Sequence, residues 1–158
     1  MSEVTTAWRI VKARYAPDAF DGEGARLYGG RWNSPGTAVI YTAESRELAM
    51  LEILAHLPAA ALLALYVCIP VRFEARLVTT LNERELPADW RVEPAPESTR
   101  QLGDAWARER RSAVWRVPSA VVPRESSYLL NPAHPDFDSL KIGEPEPIRF
   151  DERLLKRA

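Results

Sequence analysis

The position of its helix breakers constrains this chain more than any other feature. Five of the seven glycines fall between Gly22 and Gly36, and prolines punctuate two later stretches, 86–96 and 118–135. The glycine-rich stretch 21–36 has too many breakers for a helix and reads as a loop, a short extended piece and a turn at Asn33-Ser34-Pro35-Gly36. Two windows remain for helices. The first, about Ala43 to Leu57, has Thr42 as its expected N-cap and Glu44 in its first turn, and Pro58 stops it. The second, about Ser98 to Arg111, opens on Ser98-Thr99-Arg100-Gln101, a capping-box pattern. It carries the apolar stripe Leu102, Ala105 and Trp106 and an expected Asp104–Arg108 pair, while Gly103 works against it. Short apolar runs elsewhere read as strands: Trp8–Ala13, Ala38–Thr42, Leu63–Val71, Arg76–Leu81, Ala113–Val117, Tyr128–Leu130 and Ile148–Phe150. Many short strands, few helices and no β-α alternation predict an α+β fold and argue against a doubly wound parallel sheet. At 158 residues the chain is one domain's worth, read as a single domain over 1–158.

Composition removes several function classes. Lys plus Arg is 21 against 22 for Asp plus Glu, so bulk charge does not drive nucleic-acid binding. One cysteine, Cys68, forbids an intrachain disulfide, and its apolar surroundings predict a buried, inert thiol. Cys68 with His56 and His134 cannot supply four N/S ligands, so a structural zinc site is not expected. The N-terminus has no basic stretch followed by an apolar one, and no apolar run reaches the length of a membrane span. The sequence therefore predicts a soluble, cytoplasmic protein.

Glu52 is the sharpest chemical anomaly. In Leu48-Ala-Met-Leu-Glu-Ile-Leu-Ala55 every other residue is apolar, so this helix is expected to be largely buried. A carboxylate there is costly unless paired, and reads either as a side chain reaching solvent through a gap in the helix cover, as a structural partner of an arginine, or as a catalytic or ligand-binding acid. Arg31, beside Gly29 and Gly30, could grip a phosphate with both arms of its guanidinium, or could be a solvated side chain on a bulge. Tyr28 and Trp32 beside it could stack on a planar ring. Tyr41 ends a strand just before the Glu52 helix and reads as a cleft residue or a packed core tyrosine. Ser119 follows a strand end and could donate to a ligand, but lacks the Gly-x-Ser-x-Gly elbow of a hydrolase nucleophile. The prolines around His134 predict a turn, not the base of a triad. His56 reads as a helix-capping or surface histidine. Neither a dinucleotide glycine fingerprint nor a Walker loop occurs.

Five segments in order closely resemble the RES-domain family: Leu27-Tyr-Gly-Gly-Arg-Trp-Asn-Ser-Pro-Gly36, Ala38-Val-Ile-Tyr-Thr-Ala43, Leu48-Ala-Met-Leu-Glu52, Val117-Pro-Ser-Ala120 and Leu130-Asn-Pro-Ala-His-Pro135. The resemblance runs from about Trp8 to Phe150, and the Arg, Glu and Ser that name the family fall on Arg31, Glu52 and Ser119. It implies a fold like that of ADP-ribosyltransferase toxins, with mainly antiparallel short-stranded sheets, and action on NAD, either degrading it or transferring its ADP-ribose. It also implies the toxin of a bacterial type II toxin–antitoxin pair, dimeric within the assembly. The partner would be an Xre-like DNA-binding antitoxin whose C-terminal part covers the active site.

Under that resemblance Glu52 would bind ribose hydroxyls and stabilise the oxocarbenium-like state as the nicotinamide–ribose bond breaks. Arg31 would hold the pyrophosphate, and Tyr41 and Tyr28 would pack against nicotinamide. Ser119 would hydrogen-bond ribose or phosphate without attacking. NAD is the substrate; no metal and no prosthetic group is expected. The alternatives are ADP-ribose transfer to a protein, or a non-catalytic nucleotide-binding or interaction module with a structural Glu52.

Overall fold

The computed structural model describes residues 3–155. Eight strands form one sheet: β1 (Val4–Lys12), β2 (Ile40–Ala43), β3 (Tyr66–Glu74), β4 (Val78–Thr80), β5 (Val114–Pro118), β6 (Ser126–Leu130), β7 (Lys141–Ile142) and β8 (Glu146–Ile148). Their order is β4-β5-β6-β2-β1-β3-β7, with β8 also on β3. The longest pairing joins β1 and β3 antiparallel, from Val4 opposite Glu74 to Lys12 opposite Tyr66. β2 pairs antiparallel with β6 and touches β1 at Trp8–Ala43, so β2 ties two halves of the sheet together. The β4–β5 pair is parallel. Among the described residues the three α-helices are α1 (Glu23–Tyr28), α2 (Arg46–His56) and α3 (Glu97–Arg108). The α+β class is the one the strand and helix pattern predicts, and the mainly antiparallel sheet is the one the family resemblance implies.

Several local expectations are corrected. The glycine-rich stretch does contain a helix, α1: Gly24 falls in its first turn, while Gly22 precedes it at φ 76° and Gly29 follows at φ 74°, positive values that glycine adopts without a Cβ penalty. The N-cap of α2 is Ser45, whose Oγ accepts from the Leu48 amide at 3.0 Å. Thr42 stays in β2 and donates to the Tyr128 carbonyl at 2.7 Å. At α3 the capping box does not form: Ser98 donates to Asp89 at 2.7 Å and Gln101 to Glu97 at 3.1 Å. Asp104 does not pair with Arg108; its Oδ1 accepts from the Ser34 amide at 2.8 Å. The 63–71 run splits, with Ala59–Leu63 a 3-10 turn and the strand starting at Tyr66.

Four apolar clusters hold the sheet and helices together, the smallest of them Ala19, Val67 and Ile69, and three of them involve the elements around the site. Ile40, Val71, Val114 and Leu130 centre the first. Leu48 and Ala49 of α2 join Ile10, Tyr66 and Phe150 in the second. The third surrounds Trp106, which stacks on Trp115 with centroids 5.4 Å apart, while Trp32 meets Trp115 edge-on at 5.6 Å. Trp32 is thus core, and its ring is not free to stack on a ligand. α3 lies so close to this cluster that a Cβ on Gly103 would fall 1.5 Å from the Trp32 carbonyl oxygen. The glycine that weakens α3 by propensity is what lets it dock. α2 is less buried than its composition suggests: Leu48 and Ala49 are its buried residues, and Leu51 is exposed. Its remaining face is left to border a cleft.

Candidate active site

A cleft of about 440 Å³ opens where β1, β2, α2 and the α1–β2 loop meet. Arg9, Arg31, Tyr41, Glu52 and His56 line it. The sequence reading brought Arg31, Tyr41 and Glu52 to this place. It missed Arg9; His56 is the exposed, helix-capping histidine the sequence predicts, and it also borders this cleft.

Glu52 reaches the cleft from the middle of α2. Its partner is not an arginine: Ser119 donates its hydroxyl hydrogen to Glu52 Oε1 at 2.7 Å. Ser119 is 1% exposed, and its Oγ also accepts from the amides of Val121 and Val122 at 3.1 Å each. A hydroxyl has one hydrogen and two lone pairs, so all of its bonding capacity is used. Ser119 therefore anchors Glu52 to the turn after β5 and has nothing left for ribose or phosphate, which corrects its expected substrate contact. It is not itself among the cleft-lining residues; its neighbours Pro118 and Ala120 are.

Tyr41 presents its ring to the cleft and commits its hydroxyl to the loop behind. The hydroxyl donates to Asn33 Oδ1 at 2.6 Å and accepts from the Trp32 amide at 3.0 Å. Burial pushes the phenol well above its ordinary pKa, so it stays protonated. Asn33, fully buried, also donates to the Ala25 carbonyl at 2.8 Å and to Thr37 at 3.0 Å. This network shapes the loop that delivers Arg31, and it explains Gly30: a Cβ there would sit 2.7 Å from the Tyr41 hydroxyl.

Arg31 lines the cleft, yet its guanidinium is engaged. Nη1 donates to the carbonyls of Trp90 at 2.8 Å and Val92 at 2.9 Å, and Nη2 pairs with Glu93. Arg31 thus tethers the proline-rich segment to the cleft rim. An incoming phosphate would have to displace the Glu93 carboxylate.

Tyr28 does not belong to the cleft. It ends α1 with 84% exposure, and the expected contact with nicotinamide is not supported by this position.

Arg9 lies on β1, its Nε donating to the Ala19 carbonyl at 2.6 Å and Nη1 to the Tyr41 carbonyl at 2.9 Å. Burial lowers its pKa to about 10, with Asp21 opposing the shift, so it remains a cation at neutral pH. A single arginine in an imperfectly alternating strand carries no signal of a site; only the strand order turns it toward Glu52. Trp8 also borders the cleft, with the Arg46 guanidinium 3.9 Å above its ring. No group of three His, Cys, Asp or Glu side chains able to hold a metal occurs among the described residues.

A held carboxylate, half-buried cations and aromatic walls in one cleft are suited to a cationic sugar centre flanked by anionic phosphates. The family model for the RES domain matches residues 6–151. The chain belongs to the RES-domain family. Its relatives there include a protein named Toxin Res from Yersinia enterocolitica, 39% identical over 148 residues, covering 93% of this chain and 97% of the relative. The Prs ADP-ribosylating toxin of Sphingobium sp. is 38% identical over 162 residues, covering 98% and 99%. Among solved structures, the RES-family chain is similar to one in the M. tuberculosis MbcT–MbcA toxin–antitoxin complex, with a TM-score of 0.72 and 23% identity, covering 94% of this chain and 86% of that one. That likeness shows a shared fold, and the relatives' names are those of toxins. Among the described residues no helix is long and apolar enough to cross a membrane.

Proposed function

We propose that this RES-domain protein is the toxin of a toxin–antitoxin pair and consumes NAD by cleaving the nicotinamide–ribose bond, with water or phosphate as acceptor. The observation that carries the reading is the Glu52 carboxylate, fixed by the spent Ser119 hydroxyl at 2.7 Å and facing a cleft that also holds Arg9 and Tyr41. Nicotinamide in NAD is already cationic and leaves without strong acid assistance. The protein's task is then to position the ribose and place negative charge beside the carbon that becomes cationic. Glu52 does this. Arg9 and, after release of Glu93, Arg31 offer positive charge to the diphosphate. The Tyr41 ring forms a wall for the nicotinamide.

A second reading, transfer of ADP-ribose to a protein, is favoured by the printed name of the Sphingobium relative. It begins with the same bond cleavage and uses the same residues. The MbcT–MbcA neighbour supports an antitoxin as partner. The resemblance to RES toxins supports an Xre-like antitoxin covering the cleft and a toxin homodimer within the complex.

The test is incubation of the purified protein with NAD, with and without phosphate and with a cell lysate. Free ADP-ribose identifies hydrolysis, ADP-ribose-1″-phosphate phosphorolysis, and a labelled macromolecule transfer. No nicotinamide release under any condition refutes the enzymatic reading and leaves a nucleotide-binding or interaction module.

A further inference from the structure

Of the titratable groups that line the cleft, His56 is the one to which the chemistry above gives no task. It lies four residues after Glu52, hence on the same face of α2, and both side chains border the same cleft. Its Nδ1 is 2.7 Å from the Glu52 carbonyl oxygen. A carbonyl can only accept, so Nδ1 carries the hydrogen. In the neutral ring the lone pair then sits on Nε2, on the side away from the helix backbone. The helix thus fixes both the tautomer and the tilt of the ring.

The other lining groups are unsuited to receiving a proton. Arg9 and Arg31 are cations. The Tyr41 hydroxyl is spent on Asn33 and Trp32. Protonating Glu52 would remove the negative charge that the ribose cation needs. His56 is exposed at the cleft edge, where a nucleophile arrives from solvent.

We propose that His56 is a catalytic base for the hydrolytic route, a role that rests on the NAD-cleaving reading above. Water approaches the ribose carbon that bears nicotinamide. As the carbon–oxygen bond forms, a water proton passes to His56 Nε2. The carbon–nitrogen bond breaks, and its electron pair goes to the nicotinamide ring nitrogen and cancels that ring's positive charge. Nε2 then releases the proton to solvent, so NAD and water give ADP-ribose, nicotinamide and one proton. Phosphate needs no such base, because its attacking oxygen is already deprotonated.

The experiment compares the full-length wild type with His56→Asn, whose amide can still donate to the Glu52 carbonyl, and with His56→Ala. Melting curves establish that the variants are folded, and His56→Gln replaces either one that is not. Nicotinamide, ADP-ribose and ADP-ribose-1″-phosphate are quantified with and without phosphate. The expected result is a fall in the hydrolytic kcat of about 100-fold or more. KM for NAD and the phosphorolytic rate stay within about threefold of wild type. Added imidazole restores hydrolysis to His56→Ala. Unchanged hydrolysis, an equal fall in both routes, or a wild type that cleaves NAD only with phosphate overturns the base while leaving the NAD reading intact. A wild type that releases no nicotinamide at all refutes the NAD reading, and the base with it.

Discussion

Replacing Ser119 by alanine removes one oxygen and three hydrogen bonds. The bond to Glu52 is charge-assisted and 2.7 Å long; such bonds contribute about 1.5–3 kcal/mol. The amides of Val121 and Val122 lose their acceptor. A fully buried orphan donor costs about 1–3 kcal/mol, and both valines are half-buried, so water recovers part of that cost. Alanine keeps the Cβ and adds no bulk, so the net loss is about 3 kcal/mol. For a chain of this size that is a fall in Tm of roughly 6–12 °C. Urea denaturation and thermal melting of Ser119→Ala measure it directly. Turnover carries a second signature. Because Ser119 acts through Glu52, kcat for nicotinamide release falls while KM for NAD stays near wild type. A variant that melts with wild type and loses only NAD affinity would refute this wiring, and would restore Ser119 as a group that touches substrate.

Three further outcomes are expected. Glu52→Gln keeps nearly the same volume and still accepts from Ser119, so its Tm stays within roughly 3 °C of wild type, while NAD cleavage falls by about 100-fold or more; melting and nicotinamide release check the two halves. Gly103→Ala gains up to about 1 kcal/mol of helix propensity but sets a Cβ 1.5 Å from the Trp32 carbonyl oxygen. Backbone must therefore move, and a net loss of about 3 kcal/mol or more is expected in denaturant titrations. Tyr41→Phe leaves Asn33 Oδ1 and the Trp32 amide without the hydroxyl they share, a cost of about 2–3 kcal/mol, and hydrogen exchange should quicken in the 29–34 loop.

What the sequence determined by itself was local or costly. Apolar runs between breakers locate most strands because a pleated ladder needs β-branched and aromatic residues over a few positions only. Pro58 and the apolar run before it locate α2. Glu52 stands out because a carboxylate in such a run needs a reason wherever the chain goes. Only the tertiary structure decided which residue answers it. Ser119 lies 67 positions away in sequence, and no spacing rule links a helix centre to a turn after β5. The same holds for Asp104, which meets Ser34 instead of its helical neighbour Arg108. For Gly103, docking onto Trp32 outweighs a propensity penalty of about 1 kcal/mol. Arg9 and His56 enter the cleft because β1 lies beside β2 and α2 packs over them both, and a strand or helix read alone does not say which neighbour it will face. Local propensity acts over a few residues, whereas a site is assembled by long-range burial, which places side chains by the surface they cover and not by their order in the chain.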